Sequence, residues 1–365
     1  MWHSKIESVR CSLRGPKDSK IINFAISHNV ETLSLVTYHA LPDFFFRNSC
    51  LKKLVVNSRC GNMTPHCNVS WTSLTDLCLS YSTLSDESFS NIVSGSPLLE
   101  SLTLQSCSFG CLDLSESLRL RRLDIQVASY APRVVHVVAP HIHYLRLRDF
   151  KSKCVLADVS SLMEANVDTI YYLPKFWVKQ IELSKDPDDP SNDEYQVMLQ
   201  MMLEKLQNVE SLTVGLSFLQ MLSIAEFRGV PLPTLKVKTL ILKTTIVRSA
   251  VPGIAKLLQI SPGLKKIIFH KTEDWNCVVD LVEKHVTRYI DRQDLKDLIF
   301  PTRSMFRVAK PDLLASFMEL LLANTRTLEM LVVRLGSCLN RSNVAELTQV
   351  ALTLSHKNKV SIVLK

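Results

Sequence analysis

Three apolar residues in the spacing Leu-x-x-Leu-x-Leu recur along most of this chain, and that recurrence leaves few folds open. Clear copies are Leu51, Leu54, Val56; Leu74, Leu77, Leu79; Leu99, Leu102, Leu104; Leu120, Leu123, Ile125; and Ile142, Leu145, Leu147. Their starts are 23, 25, 21 and 22 residues apart. The second and third positions of each copy lie two residues apart, so on a strand they share one face. Nothing inside a single copy can cover that face. Neighbouring copies must therefore stack, each burying its apolar side against the next.

A period of about 20–29 residues with this spacing is the signature of leucine-rich repeats. The expected fold class is α/β, a solenoid shaped like a horseshoe, with a parallel concave sheet and helices or irregular turns on the convex side. Weaker copies extend the series. Val30, Leu33, Leu35 precedes the clear set; Leu162, Ala165, Val167; Val178, Ile181, Leu183; and Val209, Leu212, Val214 follow it. Val237, Leu240, Leu242; Leu264, Ile267, Phe269; Leu295, Leu298, Phe300; and Leu328, Leu331, Val333 complete it, and the chain ends on the alternating VSIVLK. Spacing up to Val178 is 16–25 residues and thereafter 27–33, which leaves room for longer helices in the second half. The expected organisation is a cap or remnant at 1–29, short-period repeats at 30–185, an acidic loop at 186–194 and longer-period repeats at 195–365. The loop reads DPDDPSNDE and lacks the order and the glycine of a calcium-binding loop.

Local signals place several helices. Ser85 is an N-cap for a helix through Val93, which Gly95 and Pro97 end. Tyr195, Met198, Leu199, Met202 and Leu206 form an apolar stripe at helical spacing. Leu313, Phe317, Leu320 and Leu321 form another behind Pro311, which suits a first helical turn.

Composition narrows the function. Hydrophobic residues make up 46% and charged ones 21%, as in a folded protein. Nine glycines and the absence of G-x-G-x-x-G or G-x-x-x-x-G-K-[ST] argue against a phosphate-binding loop. A net charge of +8 is a mild excess that ordinary surface charge explains, without a nucleic-acid footprint. No apolar stretch is long enough for a membrane helix, and the start MWHSKIESVRCS has no signal-peptide core. These readings place the protein in the cytoplasm or nucleus, away from membranes. The ten cysteines include no C-x-x-C pair. Cys107 falls on the Asn/Cys position of the repeat template and is expected to pack in the turn after its strand. Cys60, His66 and Cys67 lack a fourth ligand, so no metal or other cofactor is expected.

If the apolar positions face inward, the residues between them line the concave sheet. The most concentrated group is Arg122, Asp124, Tyr144, Arg146 and Arg148 on two neighbouring strands, the candidate site for binding a target protein. Arg and Tyr are enriched in interface hot spots. The alternative is a solvated face on which Arg122 and Arg146 pair with Asp124 and Asp149. Nearby His136, His141 and His143 lack a carboxylate or cysteine at ligand spacing. No G-x-S-x-G, H-E-x-x-H or comparable centre is present, so no catalytic residue is assigned. A nucleic-acid-binding solenoid, resting on the arginines at 119, 121, 122, 133, 146 and 148, and a receptor for a small molecule are the competing classes.

The run SLTDLCLSYSTLSDESFSNIVSGSPLLESLTLQSC resembles the repeat unit of plant F-box/leucine-rich-repeat proteins. LPDFFFRNSCLKKLVV, VVAPHIHYLRLRDF and LADVSSLMEANVD are similar to neighbouring segments of that family, and LKDLIFP with LLASFMELLLANTRTLEMLVVRL to its C-terminal FBD region. The resemblance implies a non-catalytic substrate-recognition subunit of an SCF-type E3 ubiquitin ligase. Its repeats would hold a target while an N-terminal F-box docks on the Skp adaptor and cullin. Only about thirty residues precede the first recognised strand, fewer than the roughly fifty an F-box needs. Leu41, Pro42 and Asp43 echo its opening but run straight into Phe-Phe-Phe and the next repeat. They are read as a connection between repeats. Two explanations stay open: a shortened form of a longer protein, or a repeat-only scaffold or decoy that binds targets without delivering them.

Overall fold

A computed structural model describes residues 7–15, 19–59, 63–127, 134–148, 153–168, 193–271, 311–335 and 341–365. The chain divides into two compact units, Met1–Leu162 and Met163–Lys365. Both are leucine-rich-repeat stacks.

The strands of the first unit are β1 (Ser8–Leu13), β2 (Thr32–Thr37), β3 (Lys53–Ser58), β4 (Asp76–Ser80), β5 (Ser101–Cys107), β6 (Cys111–Asp113), β7 (Arg122–Val127), β8 (Val134–Val138), β9 (Tyr144–Arg148) and β10 (Lys153–Asp158). The parallel main sheet runs β1-β2-β3-β4-β5-β7-β9, and β6, β8 and β10 form a second small sheet. The register holds through the leucines: Leu54 lies opposite Leu33 and Leu77, and Leu102 opposite Leu77 and Leu123; it shifts past Gln105, where Cys107 faces Val127. Every apolar position of the five clear copies is buried, from Leu51 to Leu147.

Four of the five clear copies enter their strands by the same turn. The amide of the first apolar residue bonds back three residues, as Leu74 to Trp71, Leu99 to Ser96, Leu120 to Ser117 and Ile142 to Ala139. In the copy that starts at Leu51 a side chain does this work: Asn48 Oδ1 accepts from the amides of Cys50 and Leu51 at 2.8 and 2.9 Å. The layer behind the main sheet differs from repeat to repeat. Where 25 residues separate copies there is room for α2 (Asp86–Ser94), and Ser85 Oγ accepts from the Ser88 amide at 3.1 Å as its cap. Where the spacing is 21 and 22 residues, the strands of the small sheet take its place, with Leu112, Val135 and Val137 buried. Leu41 and Pro42 lead into a single 3-10 turn, Asp43–Phe46, between β2 and β3. Its Phe45 and Phe46 pack on the fully buried Trp71, whose indole Nε1 donates to the Phe45 carbonyl at 3.0 Å.

Ahead of the first recognised copy, α1 (Ser19–Ser27) and β1 supply a further unit. Val9 and Cys11 are half-buried and Leu13 is buried, a pattern too weak to read as a repeat. Cys107 is buried at the end of β5, its Sγ 3.4 Å from the Leu79 carbonyl.

In the second unit a parallel sheet runs through β11 (Glu164–Asp168), β12 (Ser211–Gly215), β13 (Thr239–Thr244), β14 (Lys266–Lys271), β15 (Met330–Arg334) and β16 (Ser361–Leu364) in that order. β11 pairs directly with β12 and β14 with β15, so the sheet has no strand between either pair. The copies read at Val178 and Leu295 lie outside the described residues, as do residues 186–192 of the acidic run. Among the described residues the helices are α3 (Asp193–Lys205), α4 (Leu216–Phe227), α5 (Val251–Gln259), α6 (Pro311–Ala323) and α7 (Arg341–Asn358). On α3, Met198, Leu199 and Met202 are buried as the stripe requires, with Leu206 just beyond its end. On α6 the buried face is Leu314, Phe317, Met318, Leu321 and Leu322, one residue round from the expected stripe; Leu313 and Leu320 are half-buried.

Helices α4 and α5 meet through a buried polar contact. The Gly253 amide donates to Ser223 Oγ at 2.8 Å, Ser223 Oγ donates to the Ser249 carbonyl at 2.6 Å, and Gln220 Nε2 donates to Ser249 Oγ at 2.9 Å. A Cβ on Gly253 would fall on the Leu219 carbonyl, with the Leu219 carbon and the Ser223 nitrogen both at 2.9 Å. Gly253→Ala is therefore expected to lower the unfolding free energy by about 1–3 kcal/mol through overpacking; an unchanged urea midpoint would contradict this contact. Leu102→Ala, at a side chain with no solvent exposure, is expected to cost about 2–5 kcal/mol by the same measurement. A neutral result there would mean the register is wrong.

Candidate functional site

Alternation on the strands of the first unit sends every second residue outward, and the parallel register lines these residues up across the sheet. One row reads Thr32, Lys53, Asp76, Ser101, Arg122, Tyr144. The next reads Ser34, Val55, Cys78, Thr103, Asp124, Arg146, and the third Val36, Asn57, Ser80, Gln105, Gln126, Arg148. The five candidate residues are thus brought together on β7 and β9, in three adjoining rows.

Their arrangement is specific. The Arg122 guanidinium lies over the Tyr144 ring, 3.8 Å from its centroid, a cation–π contact that holds the planar group flat. Asp124 is only 7% exposed and is the anchor for two arginines. Arg148 donates to Asp124 Oδ1 from Nε at 3.1 Å and approaches it with Nη2 at 3.0 Å. Arg146 Nη1 reaches Asp124 Oδ2 at 3.9 Å, a looser contact, and its buried Nε has no hydrogen-bond partner among the described residues. One carboxylate thus faces two guanidinium groups, and Arg122 adds a third cation. The solvated-face alternative paired Asp124 with Arg122 or Arg146; its tightest partner is instead Arg148. Asp149, like Arg133 and Cys60, lies outside the described residues.

Other residues on this unit have roles that sequence reading did not assign. Arg121 donates from Nη1 to the carbonyls of Leu118, Leu120 and His141 at 2.9–3.2 Å, so it ties together two repeat turns. Arg59 lies 4.8 Å from the centroid of the Tyr81 ring, and Tyr81 takes a left-handed φ of 57° beside the end of β4. Cys78 sits mid-sheet. Burial pushes its thiol up, aided by Asp124 and against the Ser80 hydrogen bond and the charges of Arg148 and Lys53, so it is protonated at neutral pH. Burial raises Cys107 to about 11 and Cys154 to about 12, which makes both inert packing groups.

His136 lies on β8, whereas His141 and His143 precede β9. Among the described residues no three His, Cys, Asp or Glu side chains are grouped to hold a metal ion, and no helix is long and apolar enough to cross a membrane. A groove of about 800 Å³ lies between α5 and α6 of the second unit, with Val251, Leu258 and Leu320 among its walls and the Lys256–Glu226 ion pair, 2.6 Å, at its rim. Polar side chains, among them Ser261, Thr325 and Arg326, line it together with the apolar ones, and its carboxylate, Glu226, is held in the ion pair with Lys256. The chemistry available at the arginine cluster is recognition by charge and hydrogen bonds.

Comparison with known proteins places the repeats in a family. A family model described as the LRR repeats of FBD-associated F-box protein At5g56370 matches residues 20–165. The F-box/LRR-repeat protein At5g02930 of Arabidopsis thaliana is 52% identical over 361 residues, covering 94% of this chain and 75% of the relative's length. At5g02910, an F-box/LRR-repeat protein of the same plant, is 46% identical over 365 residues, covering 94% and 76%. A third, At3g03360, is 41% identical over 356 residues, covering 94% and 71%.

The Asp124 carboxylate neutralises charge that would otherwise be concentrated on two strands. Asp124→Ala is expected to lower the unfolding free energy by about 1–3 kcal/mol, since it removes hydrogen bonds between charged groups and leaves the cations unopposed. The loss shrinks when Arg148→Ala is already present. A single-variant loss within about 0.5 kcal/mol, the range of ordinary surface substitutions, would mean the carboxylate does not organise the cluster.

Proposed function

Because the chain belongs to the F-box/LRR-repeat family of plants, we propose that its repeats are the target-recognising part of an SCF-type ubiquitin ligase receptor. The family membership makes it a protein-interaction module, and the observation that carries the reading further is the cluster on β7 and β9. Arg122 is pre-positioned by Tyr144, and Arg148 by Asp124. Side chains already held in place lose less rotamer freedom when a partner binds, so more of the contact energy appears as affinity. Arginine and tyrosine are also the residue types that most often dominate protein interfaces.

On this reading the chain acts by binding, without chemistry of its own. A target protein docks on the sheet face of the first unit. The family's F-box module would connect it to the Skp adaptor and cullin, and ubiquitin transfer would occur elsewhere in that assembly, in the cytoplasm or nucleus. The polar rows beside the cluster, with Ser80 Oγ donating to Gln105 Oε1 at 3.2 Å, support recognition by shape and hydrogen bonds.

The test is affinity purification of the 365-residue chain from plant cells, followed by mass spectrometry. A protein retained by the wild type is expected to fall at least ten-fold with Arg146→Ala/Arg148→Ala, while circular dichroism shows the variant still folded at the assay temperature, although its thermal midpoint drops because Asp124 loses both partners. Equal recovery by the two would move recognition off this cluster. Co-recovery of the Skp adaptor and cullin supports delivery to the ligase; a retained target without them leaves a repeat-only binder or a shortened form of a longer receptor.

A further inference from the structure

The sheet of the second unit has an outward face of different character. On β13, β14 and β15 the inward side chains, Leu240 and Leu242, Ile267 and Phe269, Leu331 and Val333, are all buried. The outward ones form three rows: Thr239, Lys266, Met330; Ile241, Ile268, Val332; and Lys243, His270, Arg334. The middle row is aliphatic, with Ile241 and Ile268 half-buried and Val332 buried. The last row is basic. Arg334 Nη1 lies 3.0 Å from His270 Nε2. A guanidinium only donates, so this ring nitrogen accepts and the imidazole carries its proton on Nδ1. Burial first, then the charges of Arg334 and Lys243, lower the pKa of His270, in keeping with a site already rich in positive charge.

No outward position on β12 to β16 is a carboxylate: Ser211 and Thr213 precede these rows, and Ser361 and Val363 follow them. Glu210 and Glu329, just ahead of β12 and β15, are paired with Lys238 and Lys265 at 2.6 and 3.0 Å. Among the described residues, the outward face of β13 to β15 therefore presents Lys243, Lys266 and Arg334 beside an aliphatic stripe, and the outward carboxylate on this sheet, Glu164 of β11, lies two strands away from β13 in the Thr239 row.

We propose that this face is a docking surface for an extended acidic segment of the target protein, in which carboxylate side chains alternate with aliphatic ones. The proposal rests on the protein-recognition reading given above. Alternate residues of an extended peptide point to opposite sides. A strand laid along the boundary between the two rows places its aliphatic side chains on Ile241 and Ile268 and its carboxylates on Lys243 and Arg334. Charge complementarity selects the occupant. Nucleic acid would satisfy the cations equally well, but single strands are held by bases stacked on successive aromatic rings, and of the rings on these strands Phe269 is buried and the His270 imidazole is half-buried beside Arg334.

The test is fluorescence anisotropy with the full chain and three labelled probes. They are a 12-residue peptide alternating glutamate with leucine or valine, the same peptide with glutamine for glutamate, and a decamer of uridylate. The glutamate peptide is expected to bind at least ten-fold more tightly than the glutamine peptide. Lys243→Glu/Arg334→Glu is expected to remove that preference while circular dichroism shows the fold retained. Equal affinity for the two peptides overturns the proposal on the wild type alone, whatever the variant does. Tighter binding of the uridylate decamer than of the glutamate peptide overturns it in favour of nucleic acid. If neither peptide binds but a target is retained in the purification above, this surface falls and the recognition reading stands. If no target is retained either, both fall.

Discussion

Lateral burial of the repeated leucines is the constraint on which everything else in this protein depends. Leu102 has no partner for its apolar face inside its own repeat; the neighbours that cover it, Leu77 and Leu123, belong to the copies on either side. Only a parallel register without slips aligns them, since a shift of one residue would turn the leucines to solvent. The same register fixes the function-bearing surface. Once alternate residues are committed inward, the rest are displayed in rows whose members are far apart in sequence and adjacent in space.

Within that frame the outward faces of the two units follow different electrostatic designs. In the first, a nearly buried carboxylate sits among arginines, so Asp124 compensates part of the charge and orients Arg148 as it does so. An arginine fixed in this way suits directional recognition, where the planar group meets a matching acceptor. In the second, outward carboxylates are absent from β12 to β16, and the cations border an aliphatic stripe. A partner would there be drawn by net charge and retained by apolar contact.

Much of the fold was legible because its signal is one-dimensional. The spacing of Leu, Val and Ile alone marks each strand of the clear repeats, and Ser85 with Gly95 marks the bounds of α2. Other features depend on side chains that meet only after folding. Nothing local in the sequence distinguishes Arg148, which grips Asp124, from Arg121, which is occupied with three carbonyls of repeat turns. Asn48 could not be recognised as the substitute for a backbone turn without its geometry. The replacement of helices by the small sheet β6-β8-β10 was foreshadowed by short spacing, but its pairing was not. The offset on α6, where Leu314 and Met318 are buried in place of Leu313 and Leu320, reflects a helix rich in leucine on several sides: its composition alone does not choose the face, and packing does. Phe269 against Phe317, with ring centroids 4.9 Å apart, is part of that packing.

The central claim is that the outward sheet face of the first unit, at β7 and β9, receives the target protein. Site-specific photo-crosslinking tests it most directly, with a photoreactive amino acid placed at Gln126, beside the arginine cluster, or at the exposed Leu118 in the turn before β7. The account predicts that target peptides are cross-linked from position 126 and not from position 118. Cross-links from position 118 with none from 126 would contradict it and transfer recognition to the turns.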